Sequence, residues 1–302
     1  MAWLYFAIAG YFLNALAALG DKIVLGKVLP KPIGYAFWQG ILSVAVVLII
    51  PFGFSIIGSQ HIAASLAAGA LWTVGLYFFF EALFLSDASR TLPIILSLSP
   101  LFLFAFETIG FRTGFTGGEI IGAILLVAGS VFLSLDFENR EDYRIHIFSL
   151  FAGLAALFFS LSLFLIKDLF SKETFLNVFI WSRFGMVVGA LLFLIFPGMR
   201  REIFSVTEFI RKPRHVGSII TVKILGSAGG LLIYFAIARA SVTLVNALEG
   251  IQYAFIFILA LLASIYWPRL IRESFGFKTL VQKISGILLV SAGLFFLYFH
   301  IS

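Results

Sequence analysis

Apolar residues along this chain come in runs of about twenty, separated by short polar or Pro- and Gly-containing breaks, and the alternation continues to the C-terminus. An α-helix rises 1.5 Å per residue, so about 20 apolar residues cross a hydrocarbon layer of about 30 Å. The runs predict membrane-spanning helices near 2–20, 35–53, 62–85, 88–109, 117–135, 147–166, 175–196, 218–238, 242–266 and 281–299. They are about twice the length of a barrel strand and lack its period-two alternation. Lipid accepts only helices or closed barrels, because nothing in it can satisfy an open backbone. The pattern therefore predicts an all-α integral membrane protein with about ten transmembrane helices and no room for a soluble domain. Pro30, Pro32, Pro51, Gly53 and the pair Pro197-Gly198 stand where runs break. The first run has no basic start, and Asp21-Lys22 follows it rather than small residues. It reads as a span rather than a removable signal.

Composition agrees. Of 302 residues, 61% are hydrophobic and only 12% charged, about half the charged share of a soluble domain. With no Cys, disulfides and thiol chemistry are excluded. His61, His146, His215 and His300 are scattered, so no metal site and no cofactor is expected. There is no P-loop or other nucleotide fingerprint, no nucleophile elbow and no paired acids, so the chain is not expected to be an enzyme. The net charge of +6 lies in short loops between apolar runs. It is assigned to orientation and lipid headgroups rather than to nucleic acid.

Two halves resemble each other. IGAILLVAGSVFL (121–133) matches ISGILLVSAGLFFL (284–297), and ALFLSDASRTL (82–92) matches YFAIARASVTL (234–244). Gly10 and Gly153 open similar helices, and Trp38 and Trp181 follow at the same offset. The predicted organisation is a five-helix repeat over 1–135, a charged linker over 136–146, and a second five-helix repeat over 147–302. Five is odd, so the second copy must be inverted, an architecture of transporters with a site between the halves.

These features resemble the EamA type of the drug/metabolite transporter superfamily: ten spans in two halves, each with a small-residue Ala-Ser turn between its third and fourth spans. Pro100-Leu101, the following Glu107, Gly122 and Gly129, and Arg183 stand where that family has similar residues. The chain departs from it at Gln252, which replaces the second-half counterpart of Pro100, and near Gln39, which matches Arg183. The resemblance implies a secondary transporter of a small metabolite or drug-like solute working by alternating access in the plasma membrane. It also implies a substrate site walled by spans 1, 3, 4, 6, 8 and 9.

Polar residues inside spans mark the candidate site, since a charge at the bilayer centre costs about 2.5–3.5 kcal/mol on insertion scales. Glu249 lies seven residues into the ninth predicted span, with Asn246 three before it and Gln252 and Tyr253 three and four after. That spacing places all four on one helix face. They read either as a cavity wall with a titratable carboxylate or as a helix lock pairing Glu249 with Arg183 or Lys223. Arg183 could equally bind an anionic substrate, and both cations could snorkel to an interface. Glu81 shares a face with Tyr77 near a span end and reads as a boundary residue. Asn14 could line the site or glue helices together. Trp72 and Tyr77 could line a cavity or pack. Gly226/Gly230 and Gly118/Gly122 have the spacing for close helix approach.

A channel-like facilitator and, further off, a lipid-processing membrane enzyme are the alternatives. Besides the solute and the bilayer, protons and a second copy of the chain are left open as partners. Orientation is read from charge. The odd-numbered loops carry 15 of the 21 Lys and Arg residues and the even ones Arg112, Lys167, Lys172 and Arg239, Arg183 and Lys223 being the remaining two. Positive loops stay in the cytoplasm, which places both termini outside, whereas the resembling family commonly has both inside.

Overall fold

A computed structural model describes residues 2–111, 117–134, 144–170, 172–206, 213–237, 249–267 and 277–299. Every regular element among them is helical. They are α1 (Ala2–Ile23), α2 (Pro32–Leu42), α3 (Ser59–Leu85), α4 (Ala88–Phe111), α5 (Gly117–Ser134), α6 (Arg144–Phe170), α7 (Phe175–Phe193), α8 (Pro197–Ser205), α9 (Pro213–Ile237), α10 (Glu249–Tyr266) and α11 (Phe277–Phe299). Six helical runs are long and apolar enough to cross a membrane: Trp3–Val28, Pro32–Phe52, Ser59–Leu85, Ile147–Phe170, Phe175–Phe193 and His215–Ile233. Shorter apolar stretches lie in α4, α5, α10 and α11. Leu48, Ile124, Ile224 and Leu288 are each more than 60% exposed. In water such surfaces would cost about 25 cal/mol per Å²; against lipid they cost nothing. The chain is an all-α membrane protein.

Two helices leave α geometry inside the membrane. α1 passes into a π-helical turn at Val24–Val28, ended by the Pro30-Lys31-Pro32 break. α2 starts on Pro32, whose fixed φ suits a first helical position. It then tightens into a 3₁₀ segment over Ser43–Phe52. Pro51 sits inside that segment, and Gly53, at φ 112°, turns the chain out of it. The 3₁₀ form rises about 2.0 Å per residue, which lengthens this span. Segments of both kinds mark hinges and functional sites in other helices.

The core is built on close helix pairs: α3 with α6 and α7, α1 with α9 and α10, α5 with α11, α4 with α6 and α5, and α2 with α3 and α7. Glycines set several of these distances. A Cβ added at Gly69 would stand 1.9 Å from the Ser182 carbonyl oxygen, and one at Gly185 2.3 Å from that of Leu66. So α3 and α7 touch backbone to backbone. α1 meets α9 in the same way, a Cβ at Gly10 falling 2.9 Å from the Gly229 carbonyl oxygen. Gly153, matched to Gly10 by sequence, has open space instead.

Several predicted boundaries move. The first span does not end at residue 20: α1 carries Asp21 and Lys22 inside the helix. Lys22 caps the C-terminus of α3, its Nζ donating to the main-chain oxygens of Leu83 (2.6 Å) and Ser86 (2.5 Å). α9 begins at Pro213 rather than 218 and α11 at Phe277 rather than 281. Lys283, read as a loop residue, is 2% exposed within α11 and donates to Ser89 Oγ at 2.7 Å. The expected linker 136–146 gives its last three residues to α6; its remainder lies outside the described residues. Sequence reading places Lys22 and Lys283 outside the helices, whereas local partners hold them inside.

Candidate functional site

The polar residues that the fold gathers inside the spans lie where α1 and α2 change helical form. Asp21 stands three residues before the π turn, and Ser43 opens the 3₁₀ segment. Tyr35, Gln39 and Ser43 recur every four residues and therefore share one face of α2. All three are buried, at 0%, 5% and 4% exposure. Tyr35 OH donates to Asp21 Oδ1 at 2.5 Å and accepts from Gln39 Nε2 at 3.0 Å. From α9, Lys223 Nζ donates to the Gln39 main-chain oxygen at 3.0 Å and to Ser43 Oγ at 3.2 Å. A carbonyl inside a helix is normally occupied by its own ladder. Here Gln39 lies at the turn where α2 passes from i→i+4 to i→i+3 bonding, which leaves its oxygen available to outside donors.

The network continues into the second half. Ser43 Oγ lies 3.5 Å from Met186 Sδ on α7, and Arg183 Nη1 donates to the same sulfur at 3.1 Å. The Arg183 guanidinium lies over the Phe179 ring, 4.7 Å from its centroid, an attractive cation–π geometry. Electrostatically, Lys223 is drawn to Asp21 and repelled by Arg183. α1, α2, α7 and α9 are thus joined by one chain of contacts from Asp21 to Arg183 that passes through the Gln39 main-chain oxygen. Its described side chains include one carboxyl group, one amine and one guanidinium.

Beside Arg183 is a small cleft between α3, α6 and α7 with a cavity volume of about 50 Å³. Trp72 lines it and stacks, tilted, on Phe159 at 4.5 Å between centroids. Ser162 and Ser182 also line it, with hydroxyls that donate to the main-chain oxygens of Ala68 and Phe179 at 2.8 Å each.

The residues singled out by sequence fall into separate places. Arg183 and Trp72 share the cleft, and Lys223 joins Arg183 through Ser43 and Met186. Lys223 is ten residues into α9, deeper than the five read from sequence. Asn14 sits in the α1–α9 seam, where a Cβ added to Gly229 would fall 2.3 Å from its Oδ1. Tyr77 hydrogen-bonds Glu81 and packs on Phe193 of α7 at 6.0 Å between ring centroids. Gln252 and Tyr253 are buried in α10, at 6% and 0% exposure, and Tyr253 belongs to the main apolar core. Glu249 is the first described residue of α10; its side chain lies outside the described residues, as do Asn246 and the side chain of Glu107. Among the described residues no group of three or more His, Cys, Asp or Glu could hold a metal.

Asp21, Tyr35, Gln39, Ser43 and Met186 were not singled out as site residues by sequence. The period-four recurrence of Tyr35, Gln39 and Ser43 was a legible signal. Asp21 was obscured because a charged pair ending an apolar run looks like a loop.

No protein-family model matches this chain, and no curated protein matches it. A solved structure described only as "Crystal structure of protein" is similar over 97% of this chain and 95% of its own, with a TM-score of 0.59 and 16% identity. At that identity the likeness concerns the fold alone.

Proposed function

We propose that the chain is a secondary transporter that moves a small solute across the plasma membrane by alternating access, through ten transmembrane helices arranged as two inverted five-helix repeats. The observation that carries the reading is the intramembrane chain from Asp21 to Arg183, which joins helices of both halves at the points where α1 and α2 lose α geometry. Charged groups in lipid belong to solute pathways or relays more often than to packing, and interrupted helices mark transporter sites.

The packing supports the repeat. Exchanging the halves turns α1 into α6, α2 into α7, α3 into α9, α4 into α10 and α5 into α11. Under that exchange the α1–α9 pair becomes α6–α3, and α1–α10 becomes α6–α4; α5–α11, α2–α7 and α4–α10 map onto themselves. All of these pairs are in contact. Other pairs break the symmetry: α2–α3 and α4–α11 are in contact, whereas among the described residues their counterparts α7–α9 and α10–α5 have at most marginal contact. α3 meets α7 through glycine backbone, whereas its counterpart α9 reaches α2 through the long arm of Lys223. A repeat transporter that faces one side of the membrane has its two halves in different conformations, and unequal seams of this kind are consistent with that reading.

The reading also retains the EamA resemblance, a role for Glu249 in coupling, and an orientation with the basic loops in the cytoplasm. The test is uptake of labelled amino acids, nucleosides, carboxylates and cationic dyes into proteoliposomes, with and without a pH gradient. Saturable uptake of at least one class above empty liposomes is expected. Flux equal to empty liposomes across the panel would overturn the reading.

A further inference from the structure

We propose that the connection over 53–58, between α2 and α3, is a latch that closes one face of the molecule. It is fastened to the start of α7 and to the α6–α7 connection, and its release opens the α3–α7 seam from that face. The fastening is read from the structure alone; its use as a gate rests on the transporter reading.

Two polar ties hold the latch. The Ser55 backbone N–H donates to Asn177 Oδ1 at 2.9 Å, and Asn177 Nδ2 donates to Ser55 Oγ at 2.9 Å. Both ends of one amide are thus spent on one residue. Asn177 is the third residue of α7 and only 2% exposed. The second tie starts on α3, where His61 Nδ1 lies 2.6 Å from Glu173 Oε1 in the α6–α7 connection. Lys172 does not draw Glu173 away, since it pairs with Asp168 at 2.6 Å. The tied residues are 122 and 112 positions apart in sequence, so both ties join the first half of the chain to the second. They bring the second and sixth loops, both even-numbered, together on one face.

Apolar contacts follow the polar ones. Phe54 packs on Trp181 of α7 at 5.8 Å between ring centroids, and Ile57 is buried. The Trp181 indole nitrogen is itself buried with no acceptor among the described residues. A buried donor left unmet opposes the closed state, and lifting Phe54 removes a ring that packs on it.

The other end of the latch is a soft hinge. Gly53, at φ 112°, lies in a backbone region that L side chains rarely adopt. Before it run ten residues of 3₁₀ helix, Ser43–Phe52, with Pro51 inside. Runs beyond three or four residues are uncommon, because 3₁₀ hydrogen bonds are poorer than those of an α-helix. Behind the latch lies the seam. Leu66 and Ala70 meet Gly185 and Gly189 in that order, so α3 and α7 run parallel from this face. The seam is backbone on backbone, with no long side chains interlocked across these positions. The ties at its end are therefore placed to decide whether the two helices part.

The test exploits a chain with no Cys. Ser65, fully buried one turn along α3 from His61, becomes a reporter as Ser65→Cys. Its rate of reaction with a polar maleimide is measured on the full chain in detergent. Asn177→Ala should raise that rate at least about tenfold, the combined worth of two neutral hydrogen bonds. Glu173→Gln should raise it about two- to fivefold, because the ion pair is partly solvated. Thr91→Cys, fully buried beside Ala82 near the opposite end of α3, is the control and should keep its rate in both variants. An unchanged Ser65→Cys rate in Asn177→Ala overturns the latch. So does an equal rise at Thr91→Cys, which marks general loosening. The gate is tested by Ser55→Cys/Asn177→Cys in proteoliposomes, joined by a short bismethanethiosulfonate linker. Uptake of a solute that the panel identifies should fall at least about tenfold on linking and return on reduction. Uptake indifferent to the linker removes the gate and leaves the transporter. No uptake by the unaltered chain, with faster Ser65→Cys labelling in Asn177→Ala, removes the transporter and leaves the latch.

Discussion

Replacing Gly185 by Ala tests the α3–α7 seam on which both the fold and the cleft depend. The added Cβ would lie 2.3 Å from the Leu66 carbonyl oxygen and 2.8 Å from Leu66 C and Cα. All three are backbone atoms, so no side-chain rotation can relieve the clash. Restoring ordinary contact requires α3 and α7 to part by about 1 Å, and overpacking of this kind costs about 1–3 kcal/mol. Ala is a better helix former than Gly by about 1 kcal/mol, which offsets part of the cost. The net expectation is a loss of up to about 2 kcal/mol, at most a few degrees in midpoint for a chain of this length. Gly153→Ala on α6 is the control, because nothing lies within 4 Å of its added Cβ; it should be neutral or slightly stabilising. Both variants are heated in the same detergent at one scan rate, with folded fraction read by size-exclusion chromatography. A Gly185→Ala midpoint at or above that of the unaltered protein, with Gly153→Ala no different, would refute the backbone-to-backbone seam.

Three further outcomes follow from the same geometry. Lys223→Met should destabilise more than the double variant Asp21→Asn/Lys223→Met, because the single change leaves the partly buried carboxylate without its attracting cation, an effect of about 3–5 kcal/mol when such pairs are fully buried; additive midpoint shifts would show that the two groups do not interact. Glu249→Gln should reduce transport while the protein stays folded and inserted, and normal uptake at every pH would leave Glu249 without a coupling role. A cytoplasm-only fluorescent reporter fused after Ser302 should stay dark if the basic odd-numbered loops are cytoplasmic, and a bright fusion would reverse the orientation.

Much of the fold is legible in the sequence because lipid imposes a simple length rule on apolar runs. The rule is weakest where a charge is retained inside a helix. Lys22 and Lys283 look like loop residues until Leu83, Ser86 and Ser89 are placed beside them. Asp21 is missed for the same reason: its partner Tyr35 follows across a Pro-rich turn, and no periodicity links the two. Arg183, Lys223 and Trp72 were legible as polar or aromatic residues within spans. That Met186 and Ser43 would connect the two cations depended on the crossing of α2, α7 and α9, which the sequence of each helix does not encode. The glycine pair Gly10 and Gly153 shows the converse. Their positions match, yet one is packed against Gly229 and the other faces open space, since close approach depends on the neighbouring helix as much as on the glycine.

The central claim, a carrier rather than a pore or a static scaffold, is tested most directly by counterflow. Proteoliposomes are preloaded with an unlabelled solute that the uptake panel identifies, then diluted into a trace of the labelled form with no ion gradient. A carrier that alternates between two faces predicts transient accumulation of label above its equilibrium level, lost when the preload is omitted. Label that only rises to equilibrium, at a rate indifferent to the preload, would contradict alternating access and leave a channel-like pathway in its place.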